Sequence, residues 1–349
     1  MMNKFYALKI KEIIRETPEA VSLSFDIPTD LKDKFNYKAG QYVTIKTDID
    51  GKEIRRAYSL CSSPHTHEFK VTVKEVAGGL FSGLANNKLK AGDILEVHPP
   101  EGKFIFEPGV IPQNYAAFAA GSGITPVMSI IKTVLIREPE SKFVLVYGNK
   151  SLDETIFFRE LLELQIKYPE RLFIEFIYSQ TREENAQFGR IETSTINYVL
   201  KNKFKATSFN TFFLCGPEPM INSVTEILKQ NGIPDKRILF ELFTTKESDE
   251  VTISTEGEVE LSILVDDENF TLTMDSKKTV LEVALDNDID VPYSCQGGIC
   301  SSCIARITEG TAVMRKNQIL TDSEIAEGLI LTCQAQPTSP VLKVDYDDV

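Results

Sequence analysis

Four cysteines carry the strongest chemical signal in the sequence. Cys295, Cys300 and Cys303 follow the spacing C-x4-C-x2-C, and Cys333 comes later in Leu331-Thr-Cys-Gln. That is the ligand spacing of a plant-type [2Fe–2S] cluster, in which one loop wraps three thiolates around a small cage. Such a loop needs tight bends, which Gly297 and Gly298 permit. It also aims amide N–H groups at the sulfurs, which stabilises the reduced, more negative cluster. Structural zinc is the competing reading, but zinc sites more often use two separated C-x2-C pairs, and this chain has one. Disulfides fit least, because the cysteines cluster like ligands and Cys61 and Cys215 stand alone.

Further motifs point to nucleotide chemistry. Arg56-Ala57-Tyr58-Ser59 combines a guanidinium fork for phosphate, an aromatic ring able to stack on a flat heterocycle, and a hydroxyl. Gly78-Gly79-Leu80-Phe81-Ser82 offers bare amides and a hydroxyl, suited to a pyrophosphate at a helix N-terminus. Gly121-Ser-Gly123-Ile-Thr125-Pro126 sits between an apolar strand and a helical stretch. Its glycines let a backbone approach a pyrophosphate, and Pro126 suits the first helical turn. The spacing departs from the G-x-G-x-x-G fingerprint. Cys215-Gly216-Pro217-Glu-Pro-Met220 ends a later strand, where open α/β sheets bind ligands.

Lys150, Ser179 and Arg182 end the second and third strands of that sheet and can form a pocket for a 2′-phosphate. Asp153 and Glu183 beside them weaken it. His65, His67 and His98 have no ligand spacing. There is no Ser/His/Asp set, no H-E-x-x-H and no Walker loop, so hydrolysis and phosphoryl transfer have no support.

The elements that must position these groups fall into three segments within 349 residues. Residues 1–110 read as short alternating strands (Phe5–Ile10, Val21–Ile27, Gln41–Thr47, Arg56–Leu60, Phe69–Val76, Ile94–His98) separated by turn clusters. Six strands at this spacing predict a six-stranded antiparallel β-barrel. Residues 111–245 alternate strand and helix, which predicts a parallel sheet with helices on both faces. Residues 246–258 are polar and aperiodic, as in a linker. Residues 259–349 predict a compact α+β unit: a hairpin around Asp266-Asp267, a helix over Thr279–Asn287, the cysteine loop, and strands near 304–308 and 341–344.

Charge follows these boundaries. From Lys246 onward there are 21 acidic and 7 basic residues; the first 245 carry 30 and 31. An acidic tail on a neutral body argues against nucleic-acid binding and suits docking on a basic protein surface. The longest apolar-looking stretch, 115–136, is broken by glycine, proline and lysine, so no membrane span is expected. The N-terminus lacks a signal-peptide pattern, which predicts a cytoplasmic protein.

Together these motifs give a resemblance over nearly the whole chain. The first 245 residues resemble the ferredoxin–NADP reductase family, through R-x-Y-[ST] at Arg56–Ser59 and G-x-G-x-[TS]-P at Gly121–Pro126. The last 90 resemble a plant-type ferredoxin, a β-grasp fold. The domain order is similar to that of oxygenase reductases, those of phenylacetyl-CoA epoxidases above all.

The resemblance implies FAD on Arg56, Ala57, Tyr58, Ser59, Val73, Lys74, Gly79, Leu80, Phe81 and Ser82. It implies NADPH, in preference to NADH, on Gly121, Gly123, Thr125, Pro126, Lys150, Ser179, Arg182, Cys215, Gly216, Pro217 and Met220. It implies the cluster on Cys295, Cys300, Cys303 and Cys333. Ser59, Cys215 and Glu241 would shape hydride transfer from NADPH to FAD. Single electrons would then pass to the cluster, whose potential near about −400 mV suffices for most oxygenase metal centres. The partner would be a protein acceptor, best matched by phenylacetyl-CoA epoxidase. A ring-hydroxylating dioxygenase and a fatty-acid desaturase or hydroxylase are the alternatives. A non-catalytic electron-transfer subunit is a further reading.

Overall fold

The computed structural model describes residues 4–243 and 257–349. The expected linker falls almost wholly outside them. Six strands build the first unit: β1 (Tyr6–Thr17), β2 (Ala20–Asp26), β3 (Tyr42–Ile49), β4 (Lys52–Ser59), β5 (Lys70–Lys74) and, after helix α1 (Leu80–Asn87), β6 (Ile94–Val97). Their order is β4-β3-β6-β1-β2-β5, all antiparallel. A bridge between Leu60 and Val71 links the two end strands. Alternation puts Leu8, Ile10, Leu23, Val43, Ile45, Val71, Val73 and Val97 inside, as a pleated strand with one apolar face requires. β1 runs seven residues past its predicted end at Ile10. Its extension, Lys11–Thr17, is largely exposed and pairs with β2, so hydrophobic alternation does not mark it.

The second unit is a parallel sheet of β7 (Asn114–Ala120), β8 (Lys142–Asn149), β9 (Leu172–Tyr178), β10 (Gln187–Phe188), β11 (Thr211–Cys215) and β12 (Ile238–Glu241). Its order is β10-β9-β8-β7-β11-β12. Helices α2 (Ile124–Arg137), α3 (Phe158–Lys167), α4 (Thr193–Asn197) and α5 (Glu218–Gln230) connect the strands. The order reverses at β7, so the glycine turn after β7 and the Cys215 turn after β11 flank one crevice.

Twelve of the 14 residues of α2 are buried. A helix buried all round must have partners on both sides. One side is the sheet and the other is the barrel, where Ser129 Oγ donates to the Ser62 carbonyl at 2.6 Å and Thr133 bonds Ser63 at 3.0 Å. α4 is shorter than the helix predicted near 194–200, because the chain widens into a π-turn over Tyr198–Lys203.

The third unit holds β13 (Glu258–Val265), β14 (Glu268–Asp275), α6 (Val280–Asp286), β15 (Ile304–Glu309), β16 (Ala312–Met314), α7 (Asp322–Ala326), β17 (Leu329–Leu331), β18 (Ala335–Pro337) and β19 (Val341–Asp345). Its main sheet runs β14-β13-β19-β15-β17, with β13 and β19 parallel. Asp266 and Asp267 have φ of 50° and 64°, the left-handed pair that a two-residue hairpin needs. The strands β16, β17 and β18 were not foreseen; three residues are too few to show a period. Among the described residues no helix is long and apolar enough to cross a membrane.

The start of α6 holds the last cysteine loop. Thr279 Oγ1 accepts from the Glu282 amide and Glu282 accepts from the Thr279 amide, a reciprocal cap. The Leu281 amide then donates to the Thr332 carbonyl at 3.1 Å. Thr279→Ala should lower the local opening free energy of α6 by about 1 kcal/mol. Native-state hydrogen exchange on the α6 amides measures this; unchanged exchange would show that the cap does not anchor the helix.

Candidate functional site

The four cysteines converge as their spacing predicts. None forms a disulfide. Their thiols meet in two pairs, Cys295 with Cys300 and Cys303 with Cys333. One tetrahedral zinc needs its donors around one centre. Two thiol pairs instead suit two irons that share a cage.

The amides of Gly297 and Ile299 point at Cys295, and that of Gly298 at Cys333. The Cys300 hydrogen bond, helped by the two amides, pulls the Cys295 thiol down to about 7 against the effect of burial. Gly298 has φ of +70° and a Cβ there would fall 2.9 Å from the Lys316 carbonyl oxygen. Only glycine fits this bend.

A cavity of about 590 Å³ opens beside the loop. Arg56, Ala57, Tyr58, Ser59, Lys74, Gly79, Leu80, Phe81 and Ser82 all line it, as do Cys295, Ile299 and Cys300. Tyr58 lies 5.3 Å from Phe81, ring centre to ring centre. Ser82 Oγ accepts from the Val76 amide at 3.1 Å and donates to the Gly79 carbonyl at 3.3 Å, fixing the turn into α1. Val73 is not brought to this cavity. Its side chain is fully buried in the barrel core, because neighbouring strand residues face opposite ways and Lys74 takes the outward position.

Two of the three residues expected to shape hydride transfer touch directly. Ser59 Oγ donates to Glu241 Oε2 at 3.0 Å. Cys215 is paired with Glu241 in register across β11 and β12. Its thiol is fully buried and burial pushes its pKa well up, so it is neutral. It lines neither cavity; its neighbours Gly216 and Pro217 do.

The second cavity, about 560 Å³, follows the switch point of the parallel sheet. Gly121, Gly123, Lys150, Ser179, Gly216, Pro217 and Met220 line it. A Cβ at Gly123 would sit 2.1 Å from the Cys215 carbonyl oxygen, so glycine is what lets the two turns meet. Thr125 belongs to the first cavity. Pro126 is buried in the first turn of α2 and lines neither.

Arg182 is not brought to this cavity either. Its guanidinium lies 4.5 Å over the Phe188 ring. Arg190 lines the cavity in its place. The short edge strand β10 carries the chain back between the two arginines, and two residues leave no readable pattern. The turn Gly189-Arg190 after it was the one available signal. Ser122, Lys74 and Phe243 line both cavities, so the two are contiguous. Phe243 was not foreseen as a site residue.

The comparisons agree with this geometry. Three family models match in order: an oxidoreductase FAD-binding domain over 7–106, an oxidoreductase NAD-binding domain over 118–226, and a 2Fe-2S iron-sulfur cluster binding domain over 263–338. The chain is 36 % identical to one of the subunits of the 1,2-phenylacetyl-CoA epoxidase of Escherichia coli (strain K12), covering 99 % of each chain. The chain belongs to the family of reductases that join FAD-binding, NAD-binding and 2Fe-2S cluster-binding domains.

The reductase is also 34 % identical to the ferredoxin reductase component of a 3-ketosteroid-9-alpha-monooxygenase from Rhodococcus rhodochrous, covering 97 % of this chain and 96 % of that one. It shares its fold with phthalate dioxygenase reductase, at a TM-score of 0.60 and 22 % identity over 98 % of each chain. It is thus an oxidoreductase that uses FAD, a nicotinamide nucleotide and a [2Fe–2S] cluster.

Glu241 gives this site a pH dependence. It is 9 % exposed, and burial raises its carboxyl to about 8, while the Ser59 hydrogen bond pulls the other way. A folded-state value above the unfolded one stabilises the fold fully below the unfolded value. That contribution is lost as pH rises through the folded value. The window runs from about 4.5 to about 8. Glu241→Gln cannot ionise, so its stability relative to the parent should climb across that window. Denaturation curves of both proteins at its two ends test this; a constant difference would place an ordinary carboxyl at 241.

Proposed function

We propose that this reductase takes electrons from NADPH, passes them through FAD and the [2Fe–2S] cluster, and delivers them to an oxygenase, phenylacetyl-CoA epoxidase being the best candidate. The observation that carries the reading is the contiguity of the two cavities and the cluster loop. In this reading NADPH occupies the second cavity, FAD occupies the first, and Cys295 and Cys300 line the first. Bound together, these groups turn a hydride, two electrons with one proton, into two successive one-electron departures, and the proton is released.

The chain's own residues bind and orient. Arg56 and the amides at the start of α1 hold phosphate, and Tyr58 packs on the flavin. Ser59 and Glu241 fix the edge where hydride arrives. A neutral Glu241 adds no negative charge beside a cluster that itself becomes more negative on reduction. The domain limits proposed with this reading are 1–110, 111–245 and 259–349, in a cytoplasmic protein.

The preference for NADPH rests on charge. Lys150 and Ser179 line the second cavity with Arg190, which has no ion-pair partner among the described residues. Glu154 lies 3.5 Å from both Lys150 and Lys74, which offsets part of that positive charge. The acceptor rests on the relatives: an epoxidase subunit is the one at 36 % identity, and monooxygenase reductase components recur among the others named.

Anaerobic titration of the purified chain, followed by visible absorbance, tests the electron path and the nucleotide together. Substoichiometric NADPH should bleach both the flavin and the cluster bands. If only NADH bleaches them, the phosphate pocket is misassigned. If neither does while dithionite does, the chain is a passive carrier. In a second measurement, Lys150→Ala should raise the KM for NADPH several-fold and leave that for NADH nearly unchanged, since an exposed charge contact contributes up to about 1 kcal/mol.

A further inference from the structure

The barrel presents two side chains to the cluster loop from one rigid element. Tyr42 and Glu101 pair as neighbouring backbones: the Tyr42 amide donates to the Glu101 carbonyl at 2.9 Å, and the Glu101 amide to the Tyr42 carbonyl at 2.9 Å. Residues paired in this way project to the same side. Tyr42 then meets Ser301 and Ser302, and Glu101 meets Ser302; these two serines lie between the cluster ligands Cys300 and Cys303. The Ser301 amide donates to the Tyr42 hydroxyl at 3.2 Å. The Ser302 hydroxyl bonds the Tyr42 hydroxyl at 3.1 Å and donates to Glu101 Oε1 at 2.7 Å. Thr44 Oγ1 donates to the same carboxylate oxygen at 3.3 Å, which holds it in place.

Charge pairs surround this contact. Arg55 bonds Asp290 at 2.9 Å and lies 4.3 Å over the Tyr293 ring. Lys103 pairs with Glu324. Lys316 lies 3.6 Å from Glu218 of the parallel-sheet unit. In the first two the barrel supplies the cation and the acidic third unit the anion. Arg55 is buried but meets the third unit away from the cysteine loop, and the more exposed Lys103–Glu324 pair steers an approach and fixes no register. Registering the loop to within an ångström requires short, directional bonds from a rigid element. Among the described residues, Tyr42 and Glu101 supply the barrel's hydrogen bonds to the two residues between Cys300 and Cys303.

We propose that Tyr42 and Glu101 form a clamp that seats the cluster loop against the first cavity, and that Glu101 is a positioning residue for electron transfer from the reduced flavin to the oxidised cluster. One electron leaves the flavin and one reaches the cluster at each seating; no proton needs to cross the clamp. The inference rests on the functional reading above.

The test uses the full chain with flavin and cluster bound, in three forms: parent, Glu101→Ala and Glu101→Gln. The glutamine keeps an acceptor oxygen for Ser302. Zero-length carbodiimide coupling of Lys103 to Glu324, quantified by mass spectrometry, reports the docked arrangement without turnover. Its yield should fall several-fold in Glu101→Ala and return in Glu101→Gln. In stopped flow, NADPH should reduce the flavin at the same rate in all three. The following cluster reduction should slow by about tenfold in Glu101→Ala alone, the factor expected for one lost hydrogen bond to a charged, half-buried group. Equal cross-link yield and equal cluster reduction in Glu101→Ala and parent would overturn the clamp. So would a Glu101→Gln that fails as badly as alanine. The cross-link result decides the clamp even if the nucleotide titration overturns the electron path.

Discussion

Electron transfer demands closeness, and the seating of residues 295–303 against the first cavity is the constraint on which the arrangement depends. The loop cannot hold itself there. Its cysteines are short side chains, and the amides of Gly297, Gly298 and Ile299 are turned inward toward sulfur. The barrel therefore supplies the outer contacts through Tyr42 and Glu101, while the parallel-sheet unit supplies an apolar one. Ile299 is buried in the same cluster as Leu214, Ile238 and Leu242. A loop held by polar bonds on one side and packing on the other has one position.

The same economy governs the junction of the two cavities. Strand ends β11 and β12 bring Cys215 and Glu241 side by side, and β4 brings Ser59 within a hydrogen bond of Glu241. Burial leaves both the thiol and the carboxyl neutral near neutral pH. In a region this poorly solvated an unpartnered charge is costly, which is why the neutral forms persist. Helix α2, buried on two sides, locks barrel and sheet together and so keeps the two cavities contiguous.

Much of this was legible in the residues. Arg56–Ser59 and Gly79–Ser82 fall on one cavity wall, and Gly121, Gly123 and Gly216–Pro217 fall on another. Each motif is a short run whose chemistry depends on its own backbone. Less was legible where the outcome depends on a neighbour. Val73 and Lys74 both looked able to line the flavin, but strand alternation sends one inward. Arg182 and Arg190 flank a two-residue edge strand, and the stacking of Arg182 on Phe188 leaves Arg190 at the cavity. Phe243 lines both cavities from two residues past the end of β12 at Glu241.

The sequence by itself determined the chemistry and the order of the units. Thiol spacing, glycine turns and the alternation of strand with helix are local, and each constrains the few residues around it. The tertiary structure alone decided what faces what. Tyr42 and Ser302 are 260 residues apart, and Ser59 and Glu241 are 182 apart. Contacts at such separations leave no period and no motif in one chain. They exist because hydrophobic burial packs whole elements, and packing fixes which polar ends meet.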